Sequence, residues 1–253
     1  MADYDYRTIS SRTTAAEAGQ YDAGLRAYML RVYNYMAIGL ALTGLTAYAL
    51  FNASVVTDPS GAILGLTSLG QTLFGTPFKW VVALAPLGVF FLLYARINKM
   101  SVGAAQATFW IYAALTGASL ATLLMVYTQT SVAKVFFITA ATFGTLSLYG
   151  YTTKKDLTGF GSFLFMGLIG IVLASVVNMF LHSGMMGWII SVVGVGIFAG
   201  LTAYDTQDIK NTYYNASGDE ASVGRLAIMG ALRLYLDFIN MFIMLMQLLG
   251  DRR

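Results

Sequence analysis

Residues 226–250, LAIMGALRLYLDFINMFIMLMQLLG, are apolar and long enough to cross a bilayer, yet they carry Arg233, Asp237 and Asn240 inside the stretch. At about 1.5 Å per residue the stretch spans about 37 Å as a helix. The i+4 and i+3 spacings of 233, 237 and 240 put the three polar side chains on one helical face. The other faces are mostly Leu, Ile, Met and Phe. Intramembrane charges are costly and turn toward protein or water. A helix of this kind therefore belongs inside a bundle, with its polar stripe against a partner helix or a cavity.

The rest of the chain can supply such a bundle. Of 253 residues, 57% are hydrophobic and 11% charged, against about 25% charged in a typical soluble domain. With a mean hydropathy of +0.67 and several long uncharged runs, the expected fold is all-α: a polytopic membrane protein in contact with the lipid bilayer. The absence of cysteine removes thiolate chemistry and Fe–S ligation, and a single histidine removes histidine-based metal sites and most triads. The net charge of +3 is spread thinly over short connections, which suits membrane topology better than a nucleic-acid partner.

Seven spans can be drawn. A polar cytoplasmic tail, 1–28, leads into span 1 (29–51), an uncleaved anchor. The piece 62–73 lies between turn signals at Asp58-Pro59-Ser60-Gly61 and Gly75-Thr76-Pro77; too short to cross, it reads as a re-entrant or interfacial helix. Spans 2 (78–94, with Pro86 inside), 3 (102–127) and 4 (132–152) follow. The run 157–204 has no formal charge over 48 residues, and His182-Ser183-Gly184 splits it into spans 5 (159–181) and 6 (186–204). A polar loop, 205–225, precedes span 7, and 251–253 form a short tail. Residues 29–250 thus make one transmembrane domain. Ten basic residues, from Arg7 to Arg225, fall on the N-terminal side and only Lys79, Lys134, Arg252 and Arg253 on the other, so the N-terminus is expected in the cytoplasm. Seven full crossings put Arg252 and Arg253 outside, whereas a re-entrant last helix would not; the side of the C-terminus stays open. Gly196 and Gly200 form a possible close-packing face of span 6. Asn215-Ala216-Ser217 is read as a chance sequon, and His182 as a loop residue.

The partner for Asp237 is sought at the end of span 6, in Ala203-Tyr204-Asp205-Thr206-Gln207-Asp208. Spans 6 and 7 are consecutive and antiparallel, so Asp205 and Asp237 can meet. At ~5 Å and an effective dielectric of ~20, two carboxylates repel by on the order of 3 kcal/mol. Such a pair titrates as a unit, and once ionised it offers the hard oxygen ligands that Ca²⁺ prefers. The alternatives are an Asp205 solvated at a helix end and an Asp237 neutralised by Arg233 one turn earlier.

Three pieces resemble the Bax inhibitor-1 family of transmembrane proteins: Tyr204-Asp205-Thr206-Gln207, Leu234-Tyr235-Leu236-Asp237-Phe238-Ile239-Asn240, and Tyr149-Gly150-Tyr151-Thr152-Thr153-Lys154-Lys155-Asp156-Leu157. The resemblance runs from about Arg31 to the C-terminus. It implies a seventh helix central in the bundle and, in some members, a pH-sensitive Ca²⁺ leak gated by two aspartates matching Asp205 and Asp237, which are candidate calcium contacts. Arg96 matches an arginine that latches this pair, although Ile97 and Asn98 stand where some relatives have basic residues. Arg233 and Asn240 complete the polar network. The expected function is a pH-sensitive calcium leak channel or transporter of a bacterial inner membrane, with calcium as cargo and no cofactor. The alternative is a non-transporting protein that binds and modulates a membrane protease or another membrane partner. No enzymatic activity is expected. Aspartyl intramembrane proteases carry Gly-x-Gly-Asp on their seventh helix, where this chain has Leu234-Tyr235-Leu236-Asp237.

Overall fold

The computed structural model describes residues 3–58, 62–215 and 219–253, with only the backbone at 3–22 and 215. Seven long helices dominate it: α1 (Asp3–Ser54), α2 (Lys79–Arg96), α3 (Val102–Val126), α4 (Gln129–Thr152), α5 (Thr158–Leu181), α6 (Gly184–Asn215) and α7 (Glu220–Leu249). Each contains a stretch long and apolar enough to cross a membrane, as the spans drawn from sequence required. The expected tail over 1–22 lies outside the described side chains. By residue 25 the chain already belongs to the bundle, because Leu25 and Tyr28 are buried.

Local chemistry sets the helix ends. The Ser101 hydroxyl accepts from the Ala104 N–H at 3.2 Å to start α3, and the Thr128 hydroxyl accepts from the Ser131 N–H at 3.3 Å to start α4. The turn between α5 and α6 forms at His182, whose φ of 52° is left-handed. Its N–H donates to the Asn178 carbonyl at 2.8 Å, and the Asn178 side chain accepts from the Ser183 N–H at 3.0 Å. This short connection makes α5 and α6 packed antiparallel neighbours.

Two expectations are corrected. Residues 62–73 form no single helix. Val55–Thr57 (β1) and Ile63–Leu66 (β2) pair as an antiparallel hairpin, followed by a short helical turn and a five-residue π turn. The β-branched residues favour extended backbone, and Asp58 closes the hairpin: its carboxylate accepts from the Ala62 N–H at 2.7 Å and its own N–H donates to the Ala62 carbonyl at 3.0 Å.

The second correction is that 205–225 is no loop. α6 continues to Asn215 and α7 starts at Glu220. Polarity argued for a loop, but the polar residues here have tertiary partners. Gln207, 9% exposed, accepts from the Leu157 N–H at 2.9 Å and donates to the Lys155 carbonyl at 2.8 Å. Thr206 bonds Ser147, which bonds Tyr33, and the Lys210 ammonium donates to the Tyr151 carbonyl at 2.9 Å. These bonds tie the polar end of α6 to α1, α4 and the α4–α5 turn. The sequon residues Ala216 and Ser217 lie outside the described residues.

The core runs along α7. In its most apolar window 67% of residues are buried, against 11–39% in the other six spans. The cause is packing: α7 contacts α1, α3, α4 and α6, which buries most of its apolar side chains. At mid-helix the fully buried Tyr235 meets Phe109 and Tyr112 edge-on at 5.8 and 5.6 Å, and its hydroxyl bonds Thr43 at 2.7 Å. Gly150 on α4 permits close approach to α6, since a Cβ there would strike the Ala203 backbone. Of the expected glycine face on span 6, Gly200 packs under Leu164 and Phe160, while Gly196 meets open space.

The C-terminus ends on the face opposite the α4–α5 turn. Tyr127 pairs with Arg252, Thr128 N–H donates to the Asp251 carbonyl at 3.0 Å, and Arg253 lies 5.5 Å over the Phe51 ring. α7 therefore runs unbroken from Glu220 to Leu249 between the two faces, without the return that a re-entrant helix would make.

Candidate functional site

α6 and α7 are antiparallel neighbours, and each contributes acidic residues to their contact. On α7 the stripe of Arg233, Asp237 and Asn240 falls on one face, as the spacing predicts, and all three line one cavity. Asp237 is 4% exposed, and its Oδ2 has no hydrogen-bond partner. Asp205, on α6, lines the same cavity as Asp237. Asp205 is half-buried and does not stand at a helix end, since it lies ten residues inside α6, which continues to Asn215.

One turn nearer the α4–α5 face, the Arg233 guanidinium donates to the Asp208 carboxylate. The alternative of an Asp237 neutralised mainly by Arg233 is thus replaced, because Arg233 reaches across to α6 instead. Its side chain is 48% exposed and that of Asp208 is 35% exposed. The Asn240 amide donates to the Leu236 carbonyl of its own helix at 2.8 Å.

The cavity that these side chains border has a volume of about 890 Å³ and lies among α2, α5, α6 and α7. Its α5 wall is largely apolar, including Phe165, Leu168, Ile171 and Val172, and α2 contributes Tyr94. The charged groups are thus gathered on one wall, toward α6 and α7. An apolar cavity with a few convergent polar groups is the usual form of a ligand or transport site.

Arg96 does not reach this site. It is exposed, is absent from the cavity lining, and forms no ion pair among the described residues. α2 packs on α3 and presents Tyr94 to the cavity. Two residues on, at about 100° per residue, a side chain points to the opposite side of the helix. The chain then turns away through a 3₁₀ turn at Ile97–Lys99 whose Ile97 is buried. The position expected for Arg96 next to the aspartates is held by Arg233.

Asp208 was missed from sequence. The signal was present, since 205 and 208 share a face at i, i+3, but reading 205–225 as a loop concealed it. Thr206, Gln207 and Lys210 escaped notice for the same reason.

A family model described as "Inhibitor of apoptosis-promoting Bax1" matches residues 25–253. An uncharacterised protein of Caulobacter vibrioides is 47% identical over 232 residues, covering 92% of this chain and 91% of its own. An uncharacterised protein of Rickettsia prowazekii is 45% identical over the full length of both chains. "Inner membrane protein YbhL" of Escherichia coli K12 is 44% identical over 91% of this chain and 94% of its own. By the extent of these matches and its seven apolar helices, this integral membrane protein belongs to the Bax inhibitor family.

Proposed function

We propose that the protein is a pH-sensitive leak for calcium in a bacterial inner membrane, gated by the proton that Asp205 and Asp237 share. One observation supports the reading: the buried Asp237, whose Oδ2 lacks a partner, and the half-buried Asp205 line one cavity between apolar helices. Sharing one proton, the pair has a charge of −1. Losing it, the pair has a charge of −2 in a poorly solvated site, where Coulomb interactions are stronger than in water. That charge attracts a divalent cation and repels the two helices at the same point. Carboxylate oxygens suit Ca²⁺, which takes 6–8 oxygen ligands; two aspartates supply few of these, an arrangement suited to passage rather than retention. The similarity to a protein named for the inner membrane supports the location, and the basic-residue bias supports a cytoplasmic N-terminus. The reading requires neither catalysis nor a cofactor.

The test is Ca²⁺ flux into liposomes holding the purified protein, scanned over pH. Flux is expected to vary with pH in the wild type and to lose that dependence in Asp205→Asn and in Asp237→Asn. The double variant should resemble the singles, because coupled groups are non-additive. Flux absent at every pH would shift the reading to the alternative, in which the protein binds a membrane protease or another membrane partner.

A further inference from the structure

We propose that the groove between α1 and α4 binds one anionic phospholipid of the surrounding bilayer, with its phosphate at Arg26 and an acyl chain over Phe143, Phe238 and Phe136. α1 packs on α3, α6 and α7, and α4 packs on α6 and α7. Both flank α7, and a gap stays open between them. Two cavities of about 620 and 720 Å³ follow that gap and share Ala37, Leu40, Phe136 and Phe238, which makes them one groove. Arg26 and Tyr151 lie at one end, by the α4–α5 turn, and Tyr48 and Gln129 at the other. From Arg26 to Tyr48, α1 rises about 33 Å at about 1.5 Å per residue, close to the ~30 Å hydrocarbon thickness of a bilayer. Neither Asp205 nor Asp237 lines this groove.

Between its ends the floor is aromatic. Phe238 of α7 meets Phe143 and Phe136 of α4 edge-on at 5.6 and 5.4 Å. Gly44 of α1 and Gly144 of α4 line the groove, and a Cβ on either would meet open space. Gly150 brings α4 close to α6; these two glycines instead leave room. The room is narrow. The Tyr33 hydroxyl of α1 bonds Ser147 of α4 across the gap at 2.6 Å. Helices joined by so short a bridge leave no space between them for another helix, about 10–12 Å across with its side chains. A hydrocarbon chain fits where a helix does not.

Charge selects the lipid. Arg26 is exposed at the mouth and forms no ion pair among the described residues. The Lys210 ammonium lies 5.3 Å over the Tyr151 ring and adds a second positive charge at that end. No acidic side chain lines the groove among the described residues, so nothing there repels a phosphate. Arginine holds phosphate oxygens through paired N–H donors, and basic pockets between transmembrane helices take anionic headgroups.

The experiment is native mass spectrometry of the full chain in detergent, titrated with dioleoyl phosphatidylglycerol or with dioleoyl phosphatidylcholine. One phosphatidylglycerol is expected to bind about fivefold more tightly than phosphatidylcholine, the effect of one basic residue at an anionic surface. Arg26→Gln should remove that preference and Arg26→Lys should keep most of it. Arg31→Gln, at an exposed α1 residue outside the groove, should leave it unchanged. Gly144→Leu sends its side chain into the open groove and should weaken both lipids by about tenfold, the loss of roughly two buried methylenes. Its melting temperature in lipid-free detergent should match wild type; if it does not fold, the variants of the exposed Arg26 carry the test. Equal affinity of the wild type for the two lipids overturns the proposal, as does a preference that survives Arg26→Gln or falls equally in Arg31→Gln. So does a folded Gly144→Leu protein with wild-type lipid binding, or a dimer that Gly144→Leu dissociates, which would assign the groove to a second copy of this chain.

Discussion

Replacing Gln207 by alanine should open the α4–α5 turn without unfolding the bundle. The Gln207 side chain is the clamp between that turn and α6, with bonds of 2.9 Å from the Leu157 N–H and 2.8 Å to the Lys155 carbonyl. The two ends differ in what their loss costs. Lys155 is exposed, so water can take over its carbonyl, and the loss is about 1 kcal/mol. Leu157 is 8% exposed, and its N–H would be left buried without a partner at about 1–3 kcal/mol. The sum is about 2–4 kcal/mol, or roughly 30- to 900-fold in the local opening equilibrium. Hydrogen exchange at the Leu157 amide, measured in nanodiscs, should accelerate by that factor while the amides of α7 keep their wild-type rates. Gln207→Glu retains the acceptor for Leu157 and loses only the donor to Lys155, so its Leu157 amide should exchange far more slowly than in Gln207→Ala. Exchange in Gln207→Ala within threefold of wild type, or identical exchange in the two variants, would refute the clamp.

Two further outcomes follow from the described geometry. Cysteines introduced at Lys154 and at Arg252 should label from opposite faces of sealed vesicles, since α7 runs unbroken between the two faces; labelling from one face would break the topology. Asp156, at the start of α5, accepts from both the side chain and the N–H of Thr158 at 2.6 and 2.9 Å, and the Thr158 hydroxyl, then its N–H, hold that carboxylate below the ordinary aspartate range. A lowered folded-state value means that the group stabilises the helix end above its unfolded value of about 3.9 and loses that effect as pH falls through the folded one. Protection of the first α5 amides should therefore decline in acid, and Asp156→Asn should abolish the decline.

Several features of this protein were legible in the chain itself, because membrane solvation leaves little choice. A segment that must satisfy every backbone group internally becomes a helix, so seven mostly apolar runs gave seven helices, although α1, α6 and α7 extend beyond the spans drawn. The polar stripe of Arg233, Asp237 and Asn240 was equally readable, since spacing on a helix dictates which residues share a face. That Asp205 and Asp237 line one cavity followed from adjacency of antiparallel neighbours. Legibility ended where polar residues were satisfied by distant ones. Asp205-Thr206-Gln207-Asp208 has the composition of a loop, and only its bonds to Ser147, Lys155 and Leu157 make it helix; those bonds link residues some 50–60 positions apart. The same holds for the hairpin after α1, which depends on the local Asp58 turn, and for the C-terminal residues, which are secured on the α3–α4 turn. Arginine choice was decided last. Arg96 and Arg233 are both basic residues within reach of a cytoplasmic boundary in sequence, but the helical phase after Tyr94 turns one outward, while the packing of α7 on α6 brings the other onto Asp208. Charge and period are local properties of a chain; which charges meet depends on how two helices rotate against each other, and that only the packed bundle decides.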